Sequence, residues 1–330
     1  MAILVLGGAG YIGSHMVREL IGAGRDVVVA DNLATGFRQA VHPKARFYQT
    51  DIRDRTGLDH LFQRERIEGV IHFAAYSQVG ESMQNPLKYY DNNLGGTITL
   101  LESMLAHDVR HIVFSSTAAV YGIPDRCPIQ ECDRTEPINP YGETKLAMEK
   151  LMRWADASHG LHFAALRYFN AAGADLSGEI GEAHAPETHL LPLILQVANG
   201  QREMISIFGT DYPTRDGTCV RDYVHVTDLA RAHVLALDYL MNGGESDVFN
   251  LGNGVGFTVR EIIDIARKIT GHPIPAEIAP KRDGDPAELV ASSEKAETVL
   301  GWRPELYDIE TIVSSAWKWH QSHLRGYAVK

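Results

Sequence analysis

The sequence predicts an α/β protein: a doubly wound parallel sheet followed by a smaller α/β second domain. Three observations carry that expectation. Short apolar runs alternate with helical periodicities through the first half of the chain. The first of these runs passes directly into a glycine turn and a helix. From about Ala171 onward the pattern loosens, with Gly178, Gly181, Pro186 and Pro192 interrupting it. The division is placed at 1–170 and 171–330, with segments of the C-terminal half free to return to the first domain.

The elements follow in order. Ala2-Ile3-Leu4-Val5-Leu6 reads as a buried strand, and Gly7, Gly10 and Gly13 form a Gly-x-x-Gly-x-x-Gly turn after it. Such a turn lets backbone approach a pyrophosphate and sets that anion at a helix N-terminus. Ile12, Met16, Val17, Leu20 and Ile21 recur at helical spacing, and Gly22 and Gly24 end the helix. The next strand, Val27 to Ala30, runs straight into Asp31, which lies 31 − 13 = 18 residues after the last glycine. An acidic residue at that interval suits an adenosine ribose 2′-hydroxyl and repels a 2′-phosphate, so NAD is expected rather than NADP. Further strands are expected at Phe47-Tyr48, Val70 to Ala75, Ile112 to Ser116 and Phe163 to Tyr168, each ending in small or polar residues that should line the ligand cleft.

Asn139-Pro140-Tyr141-Gly142-Glu143-Thr144-Lys145 places a tyrosine and a lysine four residues apart at the start of a helix. Asn139 suits the N-cap and Pro140 the first helical position, so Tyr141 falls in the first turn. A phenol that works as a base near neutrality needs its pKa lowered by roughly 3 units, about 4 kcal/mol. The helix terminus offers about 0.3–1 kcal/mol, whereas an ammonium at ~4 Å offers about 4 kcal/mol at an effective dielectric of ~20. Lys145 is therefore expected to carry most of the shift. A surface Tyr and Lys on an amphipathic helix is the plain alternative for this pair alone.

Composition excludes several functions. The 330 residues are 45% apolar and 22% charged, ample for a large core. A net charge of −11 without a basic patch argues against nucleic acid. No apolar run reaches the ~18 residues of a membrane span, and the chain begins on its first core strand, so a cytoplasmic protein with no membrane partner is expected. Cys127, Cys132 and Cys219 are too few for a disulfide framework. No metal site is expected: the two nearby cysteines lack a second ligand pair, and His107 and His111 straddle a helix end and a new strand.

With these pieces in place, the chain resembles the extended short-chain dehydrogenase/reductase family, and within it the epimerases of UDP-hexoses. The resemblance spans nearly the whole chain. It rests on GGAGYIGS at Gly7 to Ser14, VGES at Val79 to Ser82, PLKYYDNN at Pro86 to Asn93, FSSTAAVYG at Phe114 to Gly122, NPYGETK, RYFNAAGA at Arg167 to Ala174, and IFGTDYPTRDGTCVRDYVHV at Ile207 to Val226. It implies a Rossmann-type NAD-binding domain and a UDP-sugar-binding domain. The implied reaction interconverts UDP-glucose and UDP-galactose through a 4-keto intermediate, as in galactose metabolism. Tyr141 would be the base, Lys145 would hold the nicotinamide ribose, and Thr117 would bridge substrate oxygen and phenol. Tyr11, Ile12, Asp31, Asn32, Asp51, Ile52, Phe73, Ala74, Ala75, Asn92 and Phe169 match cofactor-contact positions. Ser77 departs from the lysine frequent in relatives, and Leu6 from the usual threonine. Asn170, Leu190, Phe208, Arg221, Arg282 and Asp285 match positions that hold the UDP portion, and His189 stands where asparagine is frequent. Paired N–H donors make arginine well suited to a diphosphate. Leu289 matches the position bordering the hexose. Helices around Leu87 to Ala106 and Pro140 to Ser158 match those that pair in family dimers, which implies a homodimer.

Other functions require other residues. A 4,6-dehydratase of this superfamily carries an acidic pair just after the Thr117 position, where this chain has Ala118 and Ala119. Epimerisation of UDP-N-acetylglucosamine or of a UDP-pentose would leave fold and chemistry unchanged. A regulatory dinucleotide sensor would not need Thr117, Tyr141 and Lys145 together.

Overall fold

A computed structural model describes residues 1–282 and 284–327. Its strands are β1 (Ala2–Leu6), β2 (Asp26–Asp31), β3 (Arg46–Gln49), β4 (Ile67–His72), β5 (His111–Thr117), β6 (His162–Tyr168), β7 (Asn170–Ala172), β8 (Ile205–Phe208), β9 (Val220–His225), β10 (Asp247–Leu251), β11 (Gly256–Thr258), β12 (Ala276–Ala279) and β13 (Glu288–Leu289). Seven form one sheet in the order β10-β6-β5-β4-β1-β2-β3, and every pairing in it is parallel. This is the doubly wound, Rossmann-type arrangement that the alternation predicts.

A parallel sheet is covered on both faces, which is why β1 is buried at all five positions instead of alternating. Helices Tyr11–Gly22 and Val226–Met241 cover one face, where Met16, Val17, Leu20, Leu229, Ala236 and Leu240 join Ile3, Val5 and Phe249 in one core. Helices Arg55–Arg64, Gly96–Ala106 and Pro140–His159 cover the other, around Leu4, Leu6, Val70, Ile112 and Phe163. Chain order reverses between β1 and β4, whose ends meet at the Leu6–His72 pairing. Ligands of open α/β sheets bind at such a switch point.

Residues 226–251 contribute a covering helix and the edge strand β10 to this sheet, so a cut at residue 170 assigns them by sequence order and not by packing. The rest of the C-terminal half builds two small sheets, β11-β9-β13 with β7 on β9, and β12-β8. Helices Leu190–Ala198, Val259–Thr270 and Ile309–Ser322 pack around Ala172, Ile207 and Tyr223. The Val259–Thr270 helix starts at a capping box, in which Thr258 accepts from Glu261 N and Glu261 accepts from Thr258 N.

Candidate functional site

The glycine turn is built by close approach. Gly7 has φ +77°, and a Cβ on it would lie 2.7 Å from Ala74 N. A Cβ on Gly13 would lie 2.1 Å from the Gly7 carbonyl oxygen, so the helix can seat on the turn only with glycine there. Gly10 caps that helix with no side-chain hydrogen bond, and the first turn holds no acidic residue. Its first N–H groups therefore remain available to an anion. Asp31, at the end of β2, is 8% exposed and accepts from Ala9 N at 2.9 Å and Leu33 N at 2.8 Å. Burial raises its pKa, and those two N–H donors oppose the rise. The carboxylate is thus tied to the glycine turn with lone pairs left for a ribose.

The remaining predicted cofactor positions differ in burial and partners. Asn32 donates to Asp51 Oδ2 at 2.8 Å, and Arg53 holds the Asp51 carboxyl well below its ordinary range. Phe73, Ala74 and Ala75 follow the end of β4 and are half-buried. Ile52 is 4% exposed and packs in the core, so its side chain cannot reach a ligand and only its backbone can. Tyr11 donates from its hydroxyl to the Gly173 carbonyl at 2.7 Å, tying the turn to the C-terminal half. Ser77 is exposed and Asn92 buried, the latter donating to Asn93 Oδ1 at 3.0 Å.

Thr117, Tyr141 and Lys145 meet at the ends of β5 and the helix Pro140–His159. Asn139 caps that helix, accepting from Gly142 N at 2.9 Å, and Pro140 takes the first position, as the sequence predicts. A Cβ on Gly142 would lie 2.7 Å from the Ala119 carbonyl oxygen, so the helix start lies directly against the turn that follows Thr117. This brings the Thr117 hydroxyl close enough to the Tyr141 phenol to favour its ionised form. Lys145 is 2% exposed, and its Nζ donates to the Ser115 carbonyl at 2.8 Å.

Burial dominates the electrostatics of this pair. It pushes the Tyr141 phenol above its ordinary pKa, and the Thr117 hydroxyl opposes this. Lys145 Nζ lies 5.9 Å from the centre of the Tyr141 ring and donates to a carbonyl. Burial also brings the Lys145 ammonium down to about 7, with Glu149 opposing.

The predicted substrate positions come together in pairs. Arg221 donates to Asp285 Oδ1 at 2.6 Å and to the Val220 and Pro286 carbonyls at 2.8 and 3.0 Å, leaving part of its fork for a phosphate. The Arg282 guanidinium stacks 3.8 Å above the ring of Phe208 at the end of β8. Leu289 pairs with Arg221 in register and, with Phe169, packs against Val120, Tyr121 and Leu146, beside Thr117 and Lys145 in sequence. Asn170 opens β7, half-buried, and Leu190 opens the helix Leu190–Ala198. His189 differs from the asparagine reading, because its Nδ1 lies 2.7 Å from Glu182 and 3.3 Å from Glu187.

A buried polar network lies beneath the Tyr141 helix, and most of its members are far apart in sequence. Ser116 donates to Glu149 at 2.5 Å, Arg167 binds Glu149 through two bonds of 2.9 and 2.6 Å, and Arg167 reaches Tyr121 at 2.9 Å. Tyr121 donates in turn to Asn250 on β10 at 2.7 Å. Glu149 lies one helical turn after Lys145, a spacing that could have flagged it. Asn93 likewise joins the Tyr76 backbone to Thr144.

Residues 3–252 match the NAD dependent epimerase/dehydratase family. The chain belongs to that family. Among members of the NAD dependent epimerase/dehydratase family, a UDP-glucose 4-epimerase of Lacticaseibacillus casei is 60% identical over 327 residues, covering 99% of each chain. A crystal structure of a UDP-glucose 4-epimerase superposes with a TM-score of 0.98 at 55% identity, covering 100% of both chains. The Bifidobacterium longum UDP-glucose 4-epimerase, crystallised with NAD+ and UDP, gives a TM-score of 0.93 at 39% identity over 99% of this chain and 100% of its own.

Proposed function

We propose that the protein interconverts UDP-galactose and UDP-glucose with NAD bound, as an enzyme of galactose metabolism. One observation carries the assignment of roles: Thr117 acts on the Tyr141 phenol and Lys145 donates to the Ser115 carbonyl, so the three meet at the carboxyl end of β5, with Ala118 and Ala119 where a dehydratase needs acids. The seat of Gly7 on Ala74, the open first turn of the Tyr11 helix and the anchored Asp31 fit a dinucleotide carrying a free 2′-hydroxyl. When bound, NAD supplies a hydride acceptor at C4 of the sugar, returns that hydride, and in its oxidised state places a positive ring in the cleft.

Tyr141 takes the proton of the 4-hydroxyl, directly or through Thr117, and gives it back when the keto group is reduced. Lys145 keeps a desolvated ammonium in the same cleft as the phenol, 5.9 Å from its ring centre, where it favours the phenolate. Arg221, Arg282 and Asn170 hold the diphosphate, with Leu190, Phe208 and Asp285 around the nucleoside. Anchoring the UDP end leaves the hexose free to turn and present its other face, which spends binding energy away from the reacting carbon. Leu289 borders the hexose, and UDP-N-acetylglucosamine is not the favoured substrate.

No helix among the described residues is long and apolar enough to cross a membrane, and we place the enzyme in the cytoplasm. Leu87, Tyr90, Ile98 and Trp154 are exposed on the 86–106 and 140–159 helical runs, Leu87 at 81% and Trp154 at 74%, which supports a homodimer pairing these helices.

The test is incubation of purified protein with UDP-galactose and no added cofactor, followed by chromatography for UDP-glucose and release of dinucleotide by acid. Conversion with near-stoichiometric NAD is expected. No conversion, or strict dependence on added NADP, overturns the reading.

A further inference from the structure

Between β7 and the helix Leu190–Ala198, the chain runs through Glu182-Ala183-His184-Ala185-Pro186-Glu187-Thr188-His189 with no regular structure other than bends. Four side chains of this stretch converge, each offering one ligand atom, and those atoms all lie within 4.8 Å of one another. We propose that Glu182, His184, Glu187 and His189 form a structural site for one divalent cation of the zinc class. The expectation of no metal drew on the cysteines and on His107 and His111; the Glu-x-His-x-x-Glu-x-His spacing was the signal it passed over. In the structure His107 and His111 part, toward Asp59 and His162 respectively.

The geometry supports a tetrahedral ion. His184 Nδ1 lies 3.4 Å from Glu182 Oε1 and 3.2 Å from Glu187 Oε2, and His189 Nδ1 lies 3.3 Å from Glu187 Oε1. Zinc bonds of about 2.0–2.2 Å to nitrogen and oxygen make a tetrahedron with edges of roughly 3.3–3.6 Å. The His184 Nδ1 to Glu182 Oε1 edge already falls in that range, and Glu187 offers either oxygen to one imidazole at 3.2 or 3.3 Å, so its carboxylate would turn to give one oxygen to the ion. The His189 Nδ1 to Glu182 Oε1 edge, at 2.7 Å, would open as the ion enters.

Charge supports it as well. The Glu182 and Glu187 side chains are each 5% exposed, and two buried carboxylates demand positive charge. The two imidazole rings lie 5.1 Å apart, edge to face, with the carboxylates within reach of both. One dication held by the four side chains compensates both carboxylates at once. Imidazole with carboxylate suits zinc among available cations, and four protein ligands with no open position make a structural centre.

The surroundings fix the ligands in advance. Glu187 Oε1 accepts from Thr188 N at 2.8 Å and His189 N at 2.9 Å. The Glu182 carbonyl accepts from Trp319 Nε1 at 3.1 Å, and the Tyr11 ring stands edge-on to His184 at 6.4 Å. Such supporting contacts orient metal ligands. His189, the most exposed of the four at 48%, leaves a path for the ion. The centre would staple this stretch between Tyr11 of the glycine turn and Leu190, where the nucleotide is proposed to lie.

Protein made without a histidine tag, grown with zinc and never exposed to chelator, should carry close to one zinc per chain by elemental analysis. Replacement by Co2+ should give the intense visible bands of tetrahedral cobalt. Glu182→Gln and His184→Ala should each lose the bound metal, and chelation of the parent should lower its melting temperature reversibly. Parent protein with no zinc, no cobalt bands and no saturable binding of Zn2+ by calorimetry would overturn the proposal and leave the cluster as a metal-free set of ion pairs. The parent measurements stand whether or not the variants fold.

Discussion

Glu149→Gln should separate the two duties of the buried network. The Glu149 and Arg167 side chains are 1% and 3% exposed, and their two-bond pairing is the only charge compensation that Arg167 makes with a carboxylate among the described residues. Glutamine removes the charge and turns an amide NH2 toward the guanidinium donors or strands the Ser116 hydroxyl. Breaking one side of a buried pair typically costs about 3–5 kcal/mol. With an unfolding entropy of about 2.1 cal/mol/K per residue, a chain of this length unfolds with roughly 0.7 kcal/mol/K, so the melting temperature should fall by about 4–7 °C. The second duty is electrostatic. Burial brings Lys145 down to about 7 and Glu149 holds it from falling further, so the variant's ammonium should deprotonate at lower pH. Each further unit of fall cuts the ammonium fraction about tenfold above the new pKa. The alkaline limb of kcat should therefore move to lower pH, with activity recovering on acidification. The assay is UDP-galactose turnover across pH at saturating substrate, alongside calorimetric melting. The double variant Glu149→Leu/Arg167→Met should restore the melting temperature, because apolar replacement of both partners is near neutral, but should not restore the alkaline limb. A single variant that melts within about 1 °C of the parent, or keeps the parent's alkaline limb, refutes the reasoning.

Other changes follow from the same geometry. Tyr141→Phe should lower kcat by ~10²–10⁴ with dinucleotide still bound; near-normal turnover would remove the phenol from its role. Gly13→Ala puts a methyl group 2.1 Å from the Gly7 carbonyl and should cost about 1–3 kcal/mol and most of the co-purifying NAD; full retention of NAD would refute the seating argument. Leu289→Tyr should depress, and Leu289→Cys raise, the N-acetyl to glucose ratio of kcat/KM by about 10–200-fold; a ratio unchanged within about threefold moves the gate elsewhere. Acid should unfold the protein through His72, His225 and His233, which burial lowers to about 3, 3 and 4. Their folded pKa values lie below the unfolded ~6.5, so the stability they contribute is present above pH ~6.5 and is lost as pH falls toward the folded values. Three such groups withdraw about 4 kcal/mol per pH unit and about 8 kcal/mol by pH ~4.5; unfolding free energies flat between pH ~6.5 and ~5 would count against this.

What the sequence revealed and what it concealed divide along a physical line. Interactions between near neighbours in the chain leave a period or a fixed spacing, and these were readable: the strand, glycine turn and helix at Ala2 to Gly22, Asp31 at its interval, and the Asn139 cap with Pro140 behind it. Contacts across the fold leave no local mark. Glu149 and Arg167 are separated by 18 residues, and Tyr121 and Asn250 by 129, so only the sheet order brings Ser116, Tyr121, Arg167 and Asn250 to one place. Helix Val226–Met241 and strand β10 return to the first sheet for the same reason, since an apolar run does not state which neighbour it will pair with.

Tyr141 and Lys145 share one helix face, as their spacing predicts, but a Coulomb estimate from that spacing leaves out the desolvation that both groups suffer. In the fold that omission reverses the sign for the phenol: burial raises Tyr141 and lowers Lys145, so the helix by itself makes a poorer base than free tyrosine. A working base then requires positive charge near the phenol, which a bound oxidised nicotinamide would add to that of Lys145. The phenol should therefore titrate lower when the cofactor is oxidised than when it is reduced. Spectrophotometric titration of phenolate absorbance in the NAD+ and NADH forms, with Tyr141→Phe as the blank, measures the difference. Equal pKa values in the two forms would return the burden to Lys145 and refute the inference.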